Sequence, residues 1–263
     1  AAPTVKANDR GAGGLMVASG TGVNFNDDDG KSTEVQSVYS VLDNTKYKLV
    51  DGGKLVAVNT NLVDDPVDHP EGVGAIPAAV TLANLVEQSL SSPTAIAGQG
   101  KSSAREFWNV TQNTVAYTGP VAGQNKGWYF HFPESRERVL KPMGFFAGSS
   151  NLTVFSTAPA FTGTATGEES CAPAGTNEKA YLTLMNIMDG KKPSVQIMDA
   201  NGDGFYNSAA GKDDGVSRMS ISQGAISIVT GKKKITVTGS DGKPDDLAPM
   251  PEQSLRPSWR QLQ

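Results

Sequence analysis

The chain has 263 residues, 38% of them hydrophobic, with 29 glycines, 15 prolines and a formal net charge of −4; this is the composition of a turn-rich chain that can bury a core, not of a disordered one. Its one basic run is Lys232-Lys233-Lys234, so the clustered cations that nucleic-acid binding requires are missing, and no apolar run approaches the ~20 residues of a membrane-spanning helix. A single cysteine, Cys171, and two distant histidines, His69 and His131, exclude a disulfide within these residues and a cysteine-held zinc ion and leave little for a histidine-centred active site.

In chain order, residues 1–12 are polar and glycine-rich, an edge strand or an arm. Residues 14–22 (GLMVASGTG) read as a buried strand ending on a glycine-rich turn. The Gly20-x-Gly22 pair lacks the Lys-Ser/Thr of a phosphate loop. An acidic loop follows at 24–30, where Asp27 and Asp29, with Glu34 beyond them, offer a second, weaker cation site. Residues 35–43 alternate as a strand. Residues 47–50 and 54–58 form a hairpin across Asp51-Gly52, the signature of a two-residue primed turn. Residues 59–77 are a loop rich in Asp and Pro.

Residues 78–90 (AAVTLANLVEQSL) place Ala79, Leu82, Leu85 or Val86 and Leu90 on one face, the best helix candidate of the chain, although Val and Thr weaken it. The stripe reads as core packing. Residues 106–117 alternate loosely as strands, 127–133 (GWYFHFP) form an aromatic strand, and 138–140 continue after a turn. Residues 144–146 and 152–157 read as a strand pair, and 158–179 are a long loop holding Cys171. Residues 180–188 (AYLTLMNIM) alternate strongly, and Asp189-Gly190 turns that strand into a second one, 193–198. Short strands follow at 216–220, 224–230 and 234–238, with Lys232 and Lys233 at a hairpin tip. The end, 256–262, is basic and aromatic, a terminal strand pinned by Trp259. Ten or more short strands, frequent turn signals and at most one short helix make an all-β, meander-like chain. A β-sandwich, a barrel and a propeller all fit it, as a single domain over residues 1–263.

One stretch has a specific chemical meaning. In MDANGDGFYN (198–207), oxygen-bearing side chains fall at Asp199, Asn201 and Asp203, with Gly204 where the loop must turn sharply. This is the opening of the calcium loop D-x-[DN]-x-[DN]-G. A hard cation takes six to eight oxygens, and an alternating run folded around a point supplies three at once. The Phe205 carbonyl and the Asn207 side chain hold the next ligand positions. The bidentate Glu of a helix–loop–helix hand is replaced by Ala210, so Asp213 or Asp214 would complete the shell after a longer excursion. The competing reading is a polar hairpin turn rich in Asn, Asp and Gly. Magnesium fits less well, because it keeps most of its waters.

Taken together, GGLMVASGTG (13–22), QSVYSVLDN (36–44), LVEQSL (85–90), NKGWYFHFPESRERVLKPM (125–143), VFSTAP (154–159) with the later Cys171, YLTLMNIMDG (181–190), MDANGDGFYN (198–207) and SWRQL (258–262) resemble, in order and across almost the whole chain, the C-terminal region of the PilC/PilY family of type IV pilus tip-associated assembly and adhesion proteins. The resemblance implies the later part of a modified β-propeller, a place outside the cell at the pilus tip or the outer-membrane surface, and roles in pilus extension, twitching and attachment to host or abiotic surfaces. It implies pilin or minor-pilin partners and a calcium ion. The family's best characterised calcium loop lies earlier in the propeller, so calcium passes to Asp199, Asn201, Asp203 and Asn207 by loop type alone. No Arg-Gly-Asp occurs, so integrin binding is not implied. Half a propeller leaves open sheet edges; the expectation is a part of a larger protein or a chain packed on a partner.

An enzyme needs convergent polar groups in a cleft. Here the paired acids lie in the proposed cation loops, where they serve as ligands, and the chain has no nucleophile elbow and no vicinal cysteines. The sequence therefore reads as a calcium-binding adhesion or assembly module, with a calcium-stabilised structural domain of a surface protein as the alternative.

Overall fold

In a computed structural model of the chain, the described residues are 2–22, 27–50, 54–58, 79–120, 123–139, 141–147, 149, 151–159, 179–206, 215–222, 227–231, 234–239 and 242–250. Strands dominate them. They are β1 (Thr4–Ala7), β2 (Leu15–Gly20), β3 (Ser37–Asp43), β4 (Lys46–Val50), β5 (Lys54–Val58), β6 (Val86–Gln88), β7 (Ile96–Ala97), β8 (Glu106–Trp108) and β9 (Gly127–His131). Then come β10 (Glu137–Val139), β11 (Gly144–Phe145), β12 (Leu152–Pro159), β13 (Lys179–Asn186), β14 (Arg218–Ser222), β15 (Ser227–Thr230), β16 (Ile235–Thr238) and β17 (Pro244–Leu247). Helical structure is limited to α1 (Asp27–Lys31) and two single 3-10 turns, Leu82–Asn84 and Gly100–Ser102. The chain is all-β.

The first sheet has the order β1-β2-β3-β9-β6, the second β10-β12-β13-β14-β8-β7 with β11 also on β12, and the third β15-β16-β17; β4 and β5 pair with each other. Every pairing is antiparallel except β6 with β9. All these sheets are open, so no barrel closes among the described residues.

Burial turns them into layers. The second sheet is the middle one, and the side-chain alternation of its strands feeds two cores. One face carries Leu152, Val154, Ala180, Leu182, Leu184, Phe107, Met219 and Ile221, packed with Ile235, Val237 and Leu247 of the third sheet and with Ile197, Met198 and Ala200. The other face carries Phe155 and Met185, packed with Met16, Ala18, Val38, Leu42, Trp128 and Phe130 of the first sheet. The turn after β13 fastens the first two sheets: Trp128 Nε1 and Ser40 Oγ donate to the Ile187 carbonyl at 2.9 and 2.7 Å, and Gln88 Nε2 donates to the Asp189 carbonyl at 2.8 Å. Gly190 is obligatory there. Its φ is +66°, and a Cβ would stand 2.6 Å from the Trp128 ring.

A buried ion pair spans the second sheet. Glu137 of β10 accepts from both Arg218 terminal nitrogens, Nη1 at 2.7 Å and Nη2 at 2.9 Å, and from the Thr157 hydroxyl. The Arg218 guanidinium carbon lies 3.7 Å from the Tyr181 ring centroid and 5.7 Å from that of Trp108. Both charged side chains are 1% exposed or less.

Several sequence expectations are corrected. The helix expected over 78–90 is a single 3-10 turn followed by β6. Asn84 Oδ1 accepts from the Thr81 N–H and hydroxyl at 2.9 and 3.0 Å, which closes one turn, and Leu85 is already extended. Gln88 is then fully buried and wired to Thr111, Asn113 and Asp189; tertiary pairing overrides a weak propensity. Residues 193–198 alternate but form no strand. Pro193 has no N–H to give a ladder, and the Ile197 carbonyl accepts from the Ala248 N–H at 2.8 Å instead. Residues 109–117 are likewise outside any strand, save the Leu90–Val110 bridge. The β4–β5 register pairs Val50 with Lys54, so three residues connect the hairpin in place of two. β17 was not foreseen. His69, Cys171 and residues 256–262 lie outside the described residues.

Removing one partner of a desolvated pair strands a charge, at about 3–5 kcal/mol. Glu137→Gln is therefore expected to lower unfolding stability by about that amount, and Glu137→Gln with Arg218→Met by much less than the sum of the two single losses, as a double-mutant cycle in denaturant would measure. Burial pushes the Tyr117 and Tyr181 phenols up from 10.0, with nearby acids adding to it. A raised folded value favours the fold below the unfolded value, so this contribution is intact below pH 10 and falls as pH rises further. Tyr181→Phe should flatten the alkaline loss of stability.

Candidate functional site

The loop begun by Asp199 folds around its own side-chain oxygens. Asp199 Oδ1 accepts from the Gly202 N–H and Oδ2 from the Gly204 N–H, both at 2.8 Å. Asn201 Oδ1 accepts from the Asp203 N–H at 3.0 Å, and Asp203 Oδ1 from the Phe205 N–H at 2.8 Å. Each oxygen sits two, three or five residues before the amide it holds, so the main chain curls round the three donors. Gly202 and Gly204 supply the left-handed turns, with φ of +68° and +86°. A carboxylate or amide oxygen that accepts one hydrogen bond keeps a lone pair. The set of two carboxylates and one amide oxygen on a tight turn suits a hard cation.

The structure brings Asp199, Asn201, Asp203 and the Phe205 main chain into one loop. Asn207, Asp213 and Asp214 lie outside the described residues. Among the described residues, no three His, Cys, Asp or Glu side chains gather into a metal-binding group. Asp27 and Asp29, the expected second and weaker cation site, belong to α1. Asp28 of that helix pairs with Lys31 at 3.3 Å.

Sequence reasoning missed the residues that brace the loop, because they come from about a hundred residues away. The Gln99 N–H donates to the Ala200 carbonyl at 3.0 Å and Ser102 Oγ to the Asp199 carbonyl at 2.6 Å. The approach is so close that a Cβ on Gly202 would lie 1.9 Å from the Gln99 carbonyl oxygen. Nothing in GQGKS (98–102) marks it as a partner of 199–204; only the glycines hint at close backbone contact. Beside the loop is a cleft of about 360 Å³ lined by Lys101, Asp199, Tyr206, Lys234, Asp245 and Asp246 over a floor that includes Phe107, Met198 and Leu247.

A second cleft, of about 630 Å³, opens between the first two sheets beside Trp108, His131 and Arg218. In its lining Lys179 pairs with Glu106 at 2.7 Å, Arg218 pairs with Glu137, and His131 Nδ1 is hydrogen-bonded with the Ser37 hydroxyl at 2.6 Å.

No family profile and no curated protein sequence matches the chain. Among solved structures, the crystal structure of the Pseudomonas aeruginosa PilY1 C-terminal domain is similar, with a TM-score of 0.63 and 20% sequence identity over 95% of this chain. The chain spans 45% of that domain. The likeness establishes that the two share a fold. Among the described residues no helix is long and apolar enough to cross a membrane.

At Gly202 a Cβ meets backbone on a neighbouring turn, whereas at Gly204 it meets open space. Gly204→Ala should cost only the left-handed backbone penalty of about 1–2 kcal/mol. Gly202→Ala should cost clearly more and separate the loop from the 98–102 turn. Urea unfolding of the two variants side by side checks this.

Proposed function

We propose that this chain is a calcium-stabilised module of a type IV pilus-associated protein of the PilC/PilY kind, acting outside the cell in pilus assembly and extension, twitching and surface attachment. The observation that carries this is a shared fold with the PilY1 C-terminal domain over 95% of the chain, joined to the ordered set of sequence segments that resemble the same family. The open sheets fit the later part of a modified propeller, completed by further chain or by a partner such as a pilin or minor pilin. The role is one of binding and assembly, without catalysis.

Asp199, Asn201 and Asp203 would hold the calcium ion through side-chain oxygens and Phe205 through its carbonyl, with Asn207 and either Asp213 or Asp214 completing the shell. The ion would neutralise two carboxylates held on one tight turn and fix the main chain from 199 to 205. Loops of this type outside cells bind at ~10⁻⁴–10⁻³ M, so external calcium fills them and a fall in calcium empties them. A calcium-stabilised domain of a large surface protein without an adhesive role is the alternative, favoured by the fact that the loop is braced into the core.

A ligand that binds only the folded state at a hundred times its Kd adds about 2.7 kcal/mol, which for a chain of this size raises Tm by about 5–10 °C. Calcium is expected to give that rise, magnesium little of it, and a chelator to abolish it. Asp203→Ala should lose the response while keeping the apo Tm within a few degrees. In cells, the same substitution should impair twitching and attachment; normal motility and attachment in a calcium-blind variant would favour the purely structural alternative. No calcium-dependent change in Tm would reduce 199–207 to a polar turn.

A further inference from the structure

Among the described residues the third sheet shares no ladder with the others. A sheet with one apolar face must bury it against another element, so where β15–β17 sits depends on what it packs against. Ile235, Val237 and Leu247, each 1% exposed or less, pack with Ile197, Met198 and Ala200, the segment that enters the Asp199 loop. Two polar ties accompany that contact. Arg105 Nε and Nη2 meet the two Asp245 oxygens of β17 at 3.1 and 2.7 Å, with both side chains largely buried. The Ala248 N–H, just past β17, donates to the Ile197 carbonyl.

Arg105 is also anchored to the turn that braces the loop. Its carbonyl accepts from the Gly98 N–H at 2.9 Å, and its N–H donates to the Ser102 carbonyl at 2.9 Å. The contacts therefore form a ring. The loop touches the 98–105 turn through Ser102 and Gln99, that turn touches β17 through Arg105, and β17 returns to the loop through Ala248. Asp199, Asp245 and Asp246 all line the cleft inside this ring, with Asp245 paired to Arg105 and Asp246 to Lys234 at 3.0 Å.

We propose that the β15–β17 sheet is a lid whose docking is coupled to the cation loop: filling the loop fixes the Asp199 and Ala200 carbonyls that the 98–105 turn holds, and so favours the docked sheet. The coupling is reciprocal, so weakening the Arg105–Asp245 tie also weakens the cation. Undocking bares the buried face of the sheet and the core residues beneath it, Phe107 and Met219. This inference rests on the calcium reading of the loop.

The test is hydrogen–deuterium exchange of the whole chain in calcium and in chelator, with calcium titration calorimetry beside it. Expected is at least tenfold faster amide exchange in β16, β17 and 98–105 when calcium is removed, with β3, β9 and β13 unchanged. Arg105→Gln should still bind calcium, several-fold more weakly, with β17 exchanging fast even in saturating calcium. Ser102→Ala, a milder change on the other side of the ring, should show a smaller shift of the same sign. Calcium binding by calorimetry with no change in β16 and β17 exchange overturns the lid and leaves the cation site standing. Uniform deprotection of all three sheets also overturns it, since the ion would then stabilise the whole chain and not the lid. No calcium binding overturns the cation reading and the lid together.

Discussion

The fold depends on keeping one buried charge pair satisfied. Glu137 and Arg218 are both out of water, and the pair is held by two charge-assisted hydrogen bonds in good geometry, with Arg218 Nε left over as a buried donor without a hydrogen-bond partner among the described residues. Glu137 has two nitrogens and the Thr157 hydroxyl, while Arg218 has the carboxylate and the faces of Tyr181 and Trp108. Those groups sit on β10, β12, β14, β13 and β8, that is, on nearly every strand of the middle sheet. The pair thus fixes strand order at the end of the sheet where apolar packing gives way to a cleft.

The middle sheet then divides the labour of its two faces. Toward the first sheet it offers Phe155 and Met185, and the contact is tied down by hydrogen bonds to the turn at 186–190. Toward the third sheet it offers Leu182, Leu184, Met219 and Ile221, and that contact is almost wholly apolar. Apolar contact is non-directional, so the third sheet takes its orientation from the few polar ties near the Asp199 loop.

Much of the strand content was legible because alternation is a local signal. The 180–188 run announces β13 by its alternation, the aromatic run at 127–133 announces β9, and GLMVASG announces β2 as a buried strand ending on glycine. The loop at 199–205 was legible because its own oxygens hold its own amides, over two to five residues. What failed was alternation without a ladder, at 193–198, and helical spacing without a helix, at 78–90. In both cases the deciding partners, Ala248 for Ile197 and β9 for β6, lie 40 or more residues away in the chain. The pairing of Glu137 with Arg218 spans 81 residues and has no local mark at all.

By itself the sequence determined the all-β character, the positions of the main strands and the loop that curls around Asp199, Asn201 and Asp203, because each follows from side-chain period and from hydrogen bonds between near neighbours. Only the tertiary structure decided which sheet stands in the middle, which charges pair beneath it, and that the 98–105 turn and β17 close a ring about the loop. Those depend on contacts between residues far apart in the chain, 81 positions for Glu137 and Arg218 and 140 for Arg105 and Asp245, and such contacts are selected by complementary shape and by the need to satisfy buried polar groups, neither of which leaves a periodic trace in the chain.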